Sequence, residues 1–257
     1  MSPRRSPVKS KSPRHGVARV ISKLGLGSRT QAMQWVREGR VRVNGRLVRD
    51  FEFGVQRDLD RVTVDGLNMA PARMVVMLNK PRGLVTTTKD EQGRETVYRC
   101  FKGAALPWLA PVGRLDKASE GLLLFSNDPA WAATITAPAT GPDKRYHVQI
   151  DRLADASLLR RLEQGVQWQG ERGGARRGDA LRIGAKSVRC LRAGRKNAWL
   201  EIVLDEGRNR EIRRLLAACD VSVLRLVRVA IGGLLLGDLP KGGWRALTQE
   251  EISALAG

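Results

Sequence analysis

The spacing of apolar residues predicts a short helical segment first and a longer region of mixed periods after it. Val20, Ile21 and Leu24 recur at helical spacing, and Gly25 and Gly27 end the helix they predict. Ser28 is a good N-cap for a second helix over RTQAMQWVRE, with Ala32, Trp35 and Val36 on its buried side and Gly39 as its stop. VRVNGRLV then reads as two short strands about Asn44-Gly45, a strong hairpin dipeptide. From Asp65-Gly66 to Pro71-Ala72-Arg73 the chain reads as a linker. Beyond it, MVVMLN, GLLLFSN and WLEIVL are expected as strands, and RYHVQI alternates with Tyr146, Val148 and Ile150 on one face. Helices are expected from Pro129 to Thr136, over DASLLRRLEQG up to Gly165, over NREIRRLLAAC with Ile212, Leu215 and Leu216 inward, and over LTQEEISAL. VLRLVRVAIGGLLL is β-rich. Strands and helices that mix without strict alternation predict an α+β protein, in which a small α/β unit precedes a larger one on a mixed, mainly antiparallel sheet. The expected boundaries are a basic arm over 1–16, a small domain over 17–64, a linker over 65–73 and a large domain over 74–257.

Charge adds a partner to this outline. Lys and Arg total 46 against 26 Asp and Glu, a formal net charge of +20. Such a surplus says little about fold, but it attracts polyphosphate backbones and releases their counterions on binding. The arm MSPRRSPVKSKSPRHG has too few large apolar side chains to fold alone and is expected to be disordered and to touch phosphate. Its Pro3, Pro7 and Pro13 break any amphipathic helix, which argues against a transit peptide. No run of 18 apolar residues offers a membrane span, and no long basic amphipathic helix offers a membrane-surface anchor. Cys100, Cys190 and Cys219 are far apart and odd in number, and His15 and His147 are the only histidines. Neither a disulfide framework nor a His/Cys metal site is expected, and the cytoplasm is the expected compartment.

The order helix, helix, hairpin, with Arg19, Lys23, Arg29, Arg37, Arg40 and Arg42 around it, resembles the S4 RNA-binding domain. The matching residues are Leu24, Gly27-Ser28-Arg29, Ala32, Gly39, Val41, Val43, Asn44 and Gly45. The resemblance implies that the two helices lie against structured RNA, with Arg29 and Arg40 among the contacts.

In Gly113-Arg114-Leu115-Asp116 the Asp, taken alone, reads as a turn or cap residue. Its surroundings change that reading. Pro111 and Gly113 make a turn, and Gly121 opens an apolar strand, which puts Asp116 at a strand mouth where side chains face a cleft. The string PVGRLDKASEGLLLFSND resembles the signature of pseudouridine synthases of the RsuA family. So, in the same order, do LNKPRGLVTT at 78–87, KRYHV at 144–148, DEGRNREIRRL at 205–215 and VLRLVRVAIGGLLLGDLPKGGWRALTQEE at 223–251. The resemblance runs from about Val17 to the end. It implies isomerisation of a uridine in ribosomal RNA, with Asp116 as the essential carboxylate and Tyr146 as the residue that stacks on the flipped base.

This chemistry breaks the C1′–N1 bond, turns the base and joins C5 to C1′. No electrons are exchanged and no group is added, so no cofactor is expected. The carboxylate acts on the sugar, on the base or through a glycal, and the sequence does not choose among these. A carboxylate withdrawn from water needs a neighbouring cation to stay charged. The resemblance places that cation in EGRNREIRRL: Arg213 is favoured, Arg210 and Arg214 are rivals, and Arg214 also fits phosphate binding on a helix flank. Lys80, Arg82, Arg114, Lys144 and Arg208 lie within the motifs and are expected to hold phosphates around the cleft. Tyr98 is expected in the core, and His147 on the face opposite Tyr146. Many relatives carry Gln where this chain has Glu211. Some large-subunit members share the RNRE form with a GGW near the end, as at Gly242-Gly243-Trp244, and this part of the resemblance implies 23S rRNA.

Two other readings compete with this one. A non-catalytic S4-type binding or assembly factor would be expected to lose Asp116, Tyr146 or an Arg of EIRR, and all are present. A glycosidase needs a pair of carboxylates. Glu120, the only acid near Asp116, reads instead as a turn or cap. A monomer acting on RNA is expected.

Overall fold

The computed structural model describes residues 13–56, 59–66, 73–88, 90–138, 140–168, 181–205 and 207–256. The chain divides into two units. One runs to Arg73 and includes Pro107–Leu109, and the other comprises the remaining residues from Met74 on.

The first unit contains β1 (His15–Gly16), α1 (Val17–Lys23), α2 (Arg29–Arg37), β2 (Val41–Val43), β3 (Arg46–Leu47), β4 (Gly54–Val55) and β5 (Val62–Val64). Ser28 caps α2 reciprocally: its hydroxyl accepts from Gln31 N–H at 3.1 Å, and the Gln31 amide oxygen accepts from Ser28 N–H at 2.9 Å. Asn44 and Gly45 both take positive φ (51° and 80°), as the tight turn between β2 and β3 requires. Val17, Val20 and Ile21 of α1, Ala32 and Val36 of α2, and Val41, Val43 and Val64 of the sheet share one core. The expected arm over 1–16 needs a correction at its inner end. His15 and Gly16 pair antiparallel with Val55 and Gly54, and residues 1–12 lie outside the described residues. At the linker, Asp65 N–H still donates to Arg40 O at 2.8 Å, and 67–72 lie outside the described residues.

The second unit is built on β6 (Val75–Lys80), β7 (Ala110–Val112), β8 (Glu120–Ser126), α3 (Pro129–Thr136), β9 (Lys144–Ile150), α4 (Ala156–Gln164), β10 (Val166–Trp168) and β11 (Leu181–Ile183). It continues through β12 (Ser187–Ala193), β13 (Ala198–Leu204), α5 (Glu211–Ala217), β14 (Val223–Ile231), β15 (Leu234–Leu235), β16 (Trp244–Ala246) and α6 (Gln249–Ala256). The main sheet runs β12-β13-β9-β14-β8-β6-β16, with β7 paired to β8 and β15 to β14. Every pairing in it is antiparallel except β8 with β14, which run parallel through Glu120–Val227 and Gly121–Arg228. The architecture is α+β, as the mixed periods predict. Gly121 sits at φ +99°, and a Cβ there would lie 2.2 Å from Arg228 O, so the close approach of the two parallel strands requires glycine.

Val75, Met77, Leu122 and Leu124 pack against Trp131 and Ile135 of α3 and Ile252 and Leu255 of α6. In β9, Lys144, Tyr146, Val148 and Ile150 are buried, while Arg145, His147 and Gln149 alternate with them on the more open face. Pro111, expected in a turn, is instead the middle residue of β7. Among the described residues no helix is long and apolar enough to cross a membrane, and no group of His, Cys, Asp or Glu is placed to hold a metal ion.

Candidate active site

Asp116 lies in the loop between β7 and β8, and four residues hold that loop by its backbone. Ser119 N–H donates to Asp116 O at 3.0 Å and closes a tight turn. Lys80, the last residue of β6, is fully buried, and its ammonium donates to the carbonyls of Pro81 (3.1 Å), Asp116 (3.1 Å) and Ser119 (2.8 Å). Gly83 N–H donates to Lys117 O at 2.8 Å, and the Thr86 hydroxyl donates to Leu115 O at 2.7 Å. The LNKPRGLVTT stretch is therefore a cradle for the Asp116 loop. Burial pushes the Lys80 amine down to about 8, against the pull of Asp116. Three ammonium protons meet three carbonyls. Lys80 is thus a structural anchor, which corrects its expected role as a phosphate contact: no face of it reaches solvent.

The loop opens onto a cavity of about 510 Å³. Val112, Leu204, Ile212, Leu226 and Ile231 supply its apolar lining, and Arg114, Lys144, Arg208, Arg210, Arg213 and Arg228 supply cations. Asp116 and Glu211 are the only acids that line it among the described residues. The Glu211 carboxylate accepts from Arg208 N–H at 3.0 Å and is buried at the start of α5. The Asp116 side chain is about one-third exposed (35%), with Arg210 Nη1 at 3.7 Å from Oδ2. Tyr146, on β9, lines the same cavity and is 7% exposed.

The structure revises the cation expected beside Asp116. The ion pair belongs to Arg210, the rival, and not to Arg213. Arg210 is the residue before α5 and holds a left-handed conformation (φ 53°, ψ 28°), which a non-glycine residue rarely adopts. Arg213 stands behind it: its Nη2 donates to Ala118 O at 3.4 Å, and its Nε is buried without a hydrogen-bond partner. Burial and the Arg210 charge lower the Arg213 pKa, and Asp116 opposes them. Arg213 thus supports the turn while Arg210 faces the carboxylate.

The other expected contacts fall in different places. Arg114 and Arg208 are exposed at the cavity, and Arg82 is exposed nearby, close enough to depress Arg213. Lys144 lines the cavity but is 8% exposed, too deep for an open phosphate contact; burial and then the Arg228 charge lower its pKa. Arg214 is half-buried with its guanidinium 4.6 Å from the Trp168 ring centroid and its Nε buried without a hydrogen-bond partner. In the first unit, Arg29 is exposed, 3.7 Å from Glu52, while Arg40 donates to Asp65 O at 3.1 Å and lies over Trp35. His147 is on the face opposite Tyr146, 3.4 Å from Glu201. Tyr98 is half-buried, edge-on to Phe101 and Phe125. Glu120, expected as a turn or cap residue, is instead the buried first residue of β8 and bonds to Arg225 and Lys241.

Arg228 was not singled out from the sequence. It is 6% exposed and lines the cavity; Nε donates to Leu122 O at 2.7 Å, and Nη2 is buried without a partner. Among the described residues, one of its five N–H donors is engaged. The signal lay in VLRLVRVAI, where an Arg takes an inward position between Leu226 and Ala230.

Comparison with known proteins follows the same division. The family model described as RNA pseudouridylate synthase matches residues 74–218, and the S4 domain matches 17–58. A chain of Aquifex aeolicus (strain VF5) described as an uncharacterized RNA pseudouridine synthase is 36% identical over 241 residues, covering 93% of this chain and 92% of that one. The ribosomal large subunit pseudouridine synthase B of Bacillus subtilis (strain 168) is 32% identical over 239 residues, covering 92% and 93%. A crystal structure of a pseudouridylate synthase matches with a TM-score of 0.64 at 27% identity, covering 95% of this chain and all of that one.

Proposed function

The chain belongs to the RNA pseudouridylate synthase family, and from that premise we propose that it isomerises a uridine of large-subunit ribosomal RNA with the Asp116 carboxylate at the reacting sugar. One observation carries this reading. Of the two acids lining the cavity, Glu211 is taken up by the α5 start, and Asp116 alone faces the apolar pocket from a backbone-anchored turn. The large-subunit assignment draws on the Bacillus subtilis relative's name and on the RNRE and GGW forms in this chain.

The flipped uridine enters the cavity and stacks on Tyr146. Asp116 assists cleavage of C1′–N1; the base turns, C5 bonds to C1′, the C5 proton leaves, and N1 takes up a proton. Atoms and electrons balance within the substrate and solvent, so the reaction calls for no cofactor. Arg228 and Lys144, buried on the same wall, donate to the uracil carbonyl oxygens and stabilise negative charge on the detached base. Arg210 holds the carboxylate, with Arg213 bracing the turn. Arg82, Arg114 and Arg208 position the RNA backbone, and the S4 unit adds RNA contacts through exposed cations such as Arg29. The cavity is complete within one chain, which supports action as a monomer.

The test is tritium release from 5-tritiated uridine in ribosomal RNA, comparing wild type with Asp116→Ala. The variant is expected to release none above background. Release at the wild-type rate sinks the assignment of Asp116. Mapping modified sites in a strain lacking the protein is expected to reveal one missing pseudouridine in 23S rRNA; a missing 16S site sinks the large-subunit reading.

A further inference from the structure

The sheet half formed by β12, β13, β9 and β14 has a second usable face, turned away from the Asp116 cavity. Its strands are all antiparallel. Tyr146, Val148, Leu200 and Ile202 are buried on the cavity side, while Arg145, His147 and Trp199 alternate with them on the other. A groove of about 400 Å³ crosses that second face, lined by His147, Leu191, Arg192, Trp199, Arg225 and Val227 among others. Leu191, Trp199, Val227 and Val229 give it an apolar floor, and Leu191 is 36% exposed there. The Arg192 guanidinium lies 5.2 Å from the Trp199 ring centroid and that of Arg225 lies 5.9 Å from it.

The charges around the groove are layered. Glu201 and Glu120 lie beneath, with side chains 10% and 4% exposed. Above them stand Arg189 (68%), Arg145 (45%) and Arg225 (39%), joined by Lys241 (59%). The buried carboxylates hold the cations in place and stay ionised: the Arg189 hydrogen bond keeps Glu201 below the usual carboxylate range. Arg192 is exposed, and no ion pair engages it among the described residues. What this face presents outward is positive charge around a planar, apolar platform.

We propose that this face is a second RNA-binding surface, on which an unpaired stretch of the substrate RNA, outside the segment held at Asp116, stacks a base on the Trp199–Arg192 pair and lays its phosphates along Arg192, Arg189 and Arg145. An acidic protein segment matches the charge but leaves the indole, Leu191 and Val227 without a counterpart. A nucleotide matches both, because every base has a π-face and every linkage a negative charge. Four-stranded antiparallel sheets with an exposed aromatic and flanking cations suit single-stranded RNA for the same reason. The inference rests on RNA being the substrate and adds a contact that lies on the far side of the sheet from the chemistry.

The test measures binding and turnover of the full chain on two substrates: a minimal stem-loop carrying the target uridine, and a longer ribosomal RNA fragment with its flanking unpaired segments. Trp199→Ala is expected to weaken binding to the long fragment about 10-fold, and Trp199→Phe to restore most of it. Arg192→Ala is expected to lower the salt dependence of that binding by about one ion. For both, KM on the long fragment rises while kcat, melting temperature and binding to the stem-loop stay at wild type. Wild-type affinity and salt dependence on the long fragment overturn the proposal. So does an equal loss on both substrates, and so does a result in which RNA binding is intact and an acidic protein segment is the ligand lost. Asp116→Ala is carried alongside. It should bind both RNAs normally without turnover, so an active Asp116→Ala counts against the catalytic assignment and leaves the binding result to be judged by itself.

Discussion

Asp116 and Glu120 stand four residues apart in one turn-and-strand segment, yet their surroundings differ in almost every respect. Glu120 is buried, and both its oxygens are engaged at close range: Oε1 by Arg225 Nε at 2.7 Å, Oε2 by Arg225 Nη2 at 3.0 Å and by Lys241 at 2.7 Å. Burial works against its charge, but those hydrogen bonds outweigh burial and hold the carboxyl below the usual carboxylate range. Asp116 is about one-third open, and the cation paired with it, Arg210, stays 3.7 Å away. Its backbone carbonyl, in contrast, is bound by both Lys80 and Ser119. Glu120 is thus fixed through its side chain. Asp116 is fixed through its main chain, and its carboxylate keeps lone pairs for a substrate. An acid saturated with partners holds a fold together; an acid on a rigid backbone with an unsaturated carboxylate is equipped for chemistry.

Substitutions separate these two roles. Asp116→Asn keeps the turn, because the anchoring bonds run through the backbone. Tritium release should fall at least about 1000-fold, roughly 4 kcal/mol of barrier, with the melting temperature within about 2 °C of wild type. A strongly destabilised variant would erase the contrast. Glu120→Gln should do the reverse. It weakens the charge-assisted hydrogen bonds of a buried carboxyl to two partly exposed cations, at a cost of about 2 kcal/mol in urea unfolding, while kcat on the folded fraction stays within about threefold; a large kcat loss with intact stability breaks the comparison from the other side.

Arg210→Ala and Arg213→Ala sharpen it further. The half-exposed Arg210 faces the carboxylate, so its loss should cost about 10- to 100-fold in turnover with little change in stability. Arg213 holds Ala118 O, so its loss should lower both turnover and melting temperature. Equal behaviour of the two variants contradicts the division of labour assigned here.

The smallest effect concerns Lys80. The native chain gives up this proton from about pH 8, while the unfolded chain holds it to about 10.5. Between those values the unfolded state binds more protons, so the Lys80 contribution to stability rises with pH, by up to about 1.4 kcal/mol per unit. Denaturant unfolding at pH 8 and 9 should show the rise in wild type and not in Lys80→Met.

The sequence carried the elements whose apolar period is strong. α2 begins at its Ser28 cap, the Asn44-Gly45 hairpin forms, and β8, β9, β13 and α5 lie where their patterns put them. It was silent on β12, whose side chains are mostly exposed, and on β10 and β11, which are three residues each with polar interruptions. At the site, the turn carrying Asp116 and the inward face of Tyr146 were legible. Lys80 was misread because a cation inside a motif suggests phosphate. The better signal was its place directly after MVVMLN, at the end of a strand buried at every position. Glu120 was misread for a related reason, since its cations come from Arg225 and Lys241, more than 100 residues away in the chain. The choice of Arg210 over Arg213 depends on a left-handed backbone that no glycine announces.

One edge of β8 serves two partners in succession: β14 pairs at Glu120 and Gly121, then β7 takes over from Leu124 to Ser126. The cavity lies where these partners part, with Val112 from β7 and Leu226 and Arg228 from β14 in its walls. In engineering terms the cavity spans an expansion joint. Asp116 is carried on one plate and Tyr146 with Arg228 on the other, and the plates are riveted by a pairing of only two residues from each strand. Breathing across that joint would change the spacing between Asp116 and the Tyr146–Arg228 wall without unfolding either plate. Amide hydrogens at Glu120, Gly121, Val227 and Arg228 should therefore exchange faster than those within β9 and β13, and a bound RNA that bridges the gap should slow them.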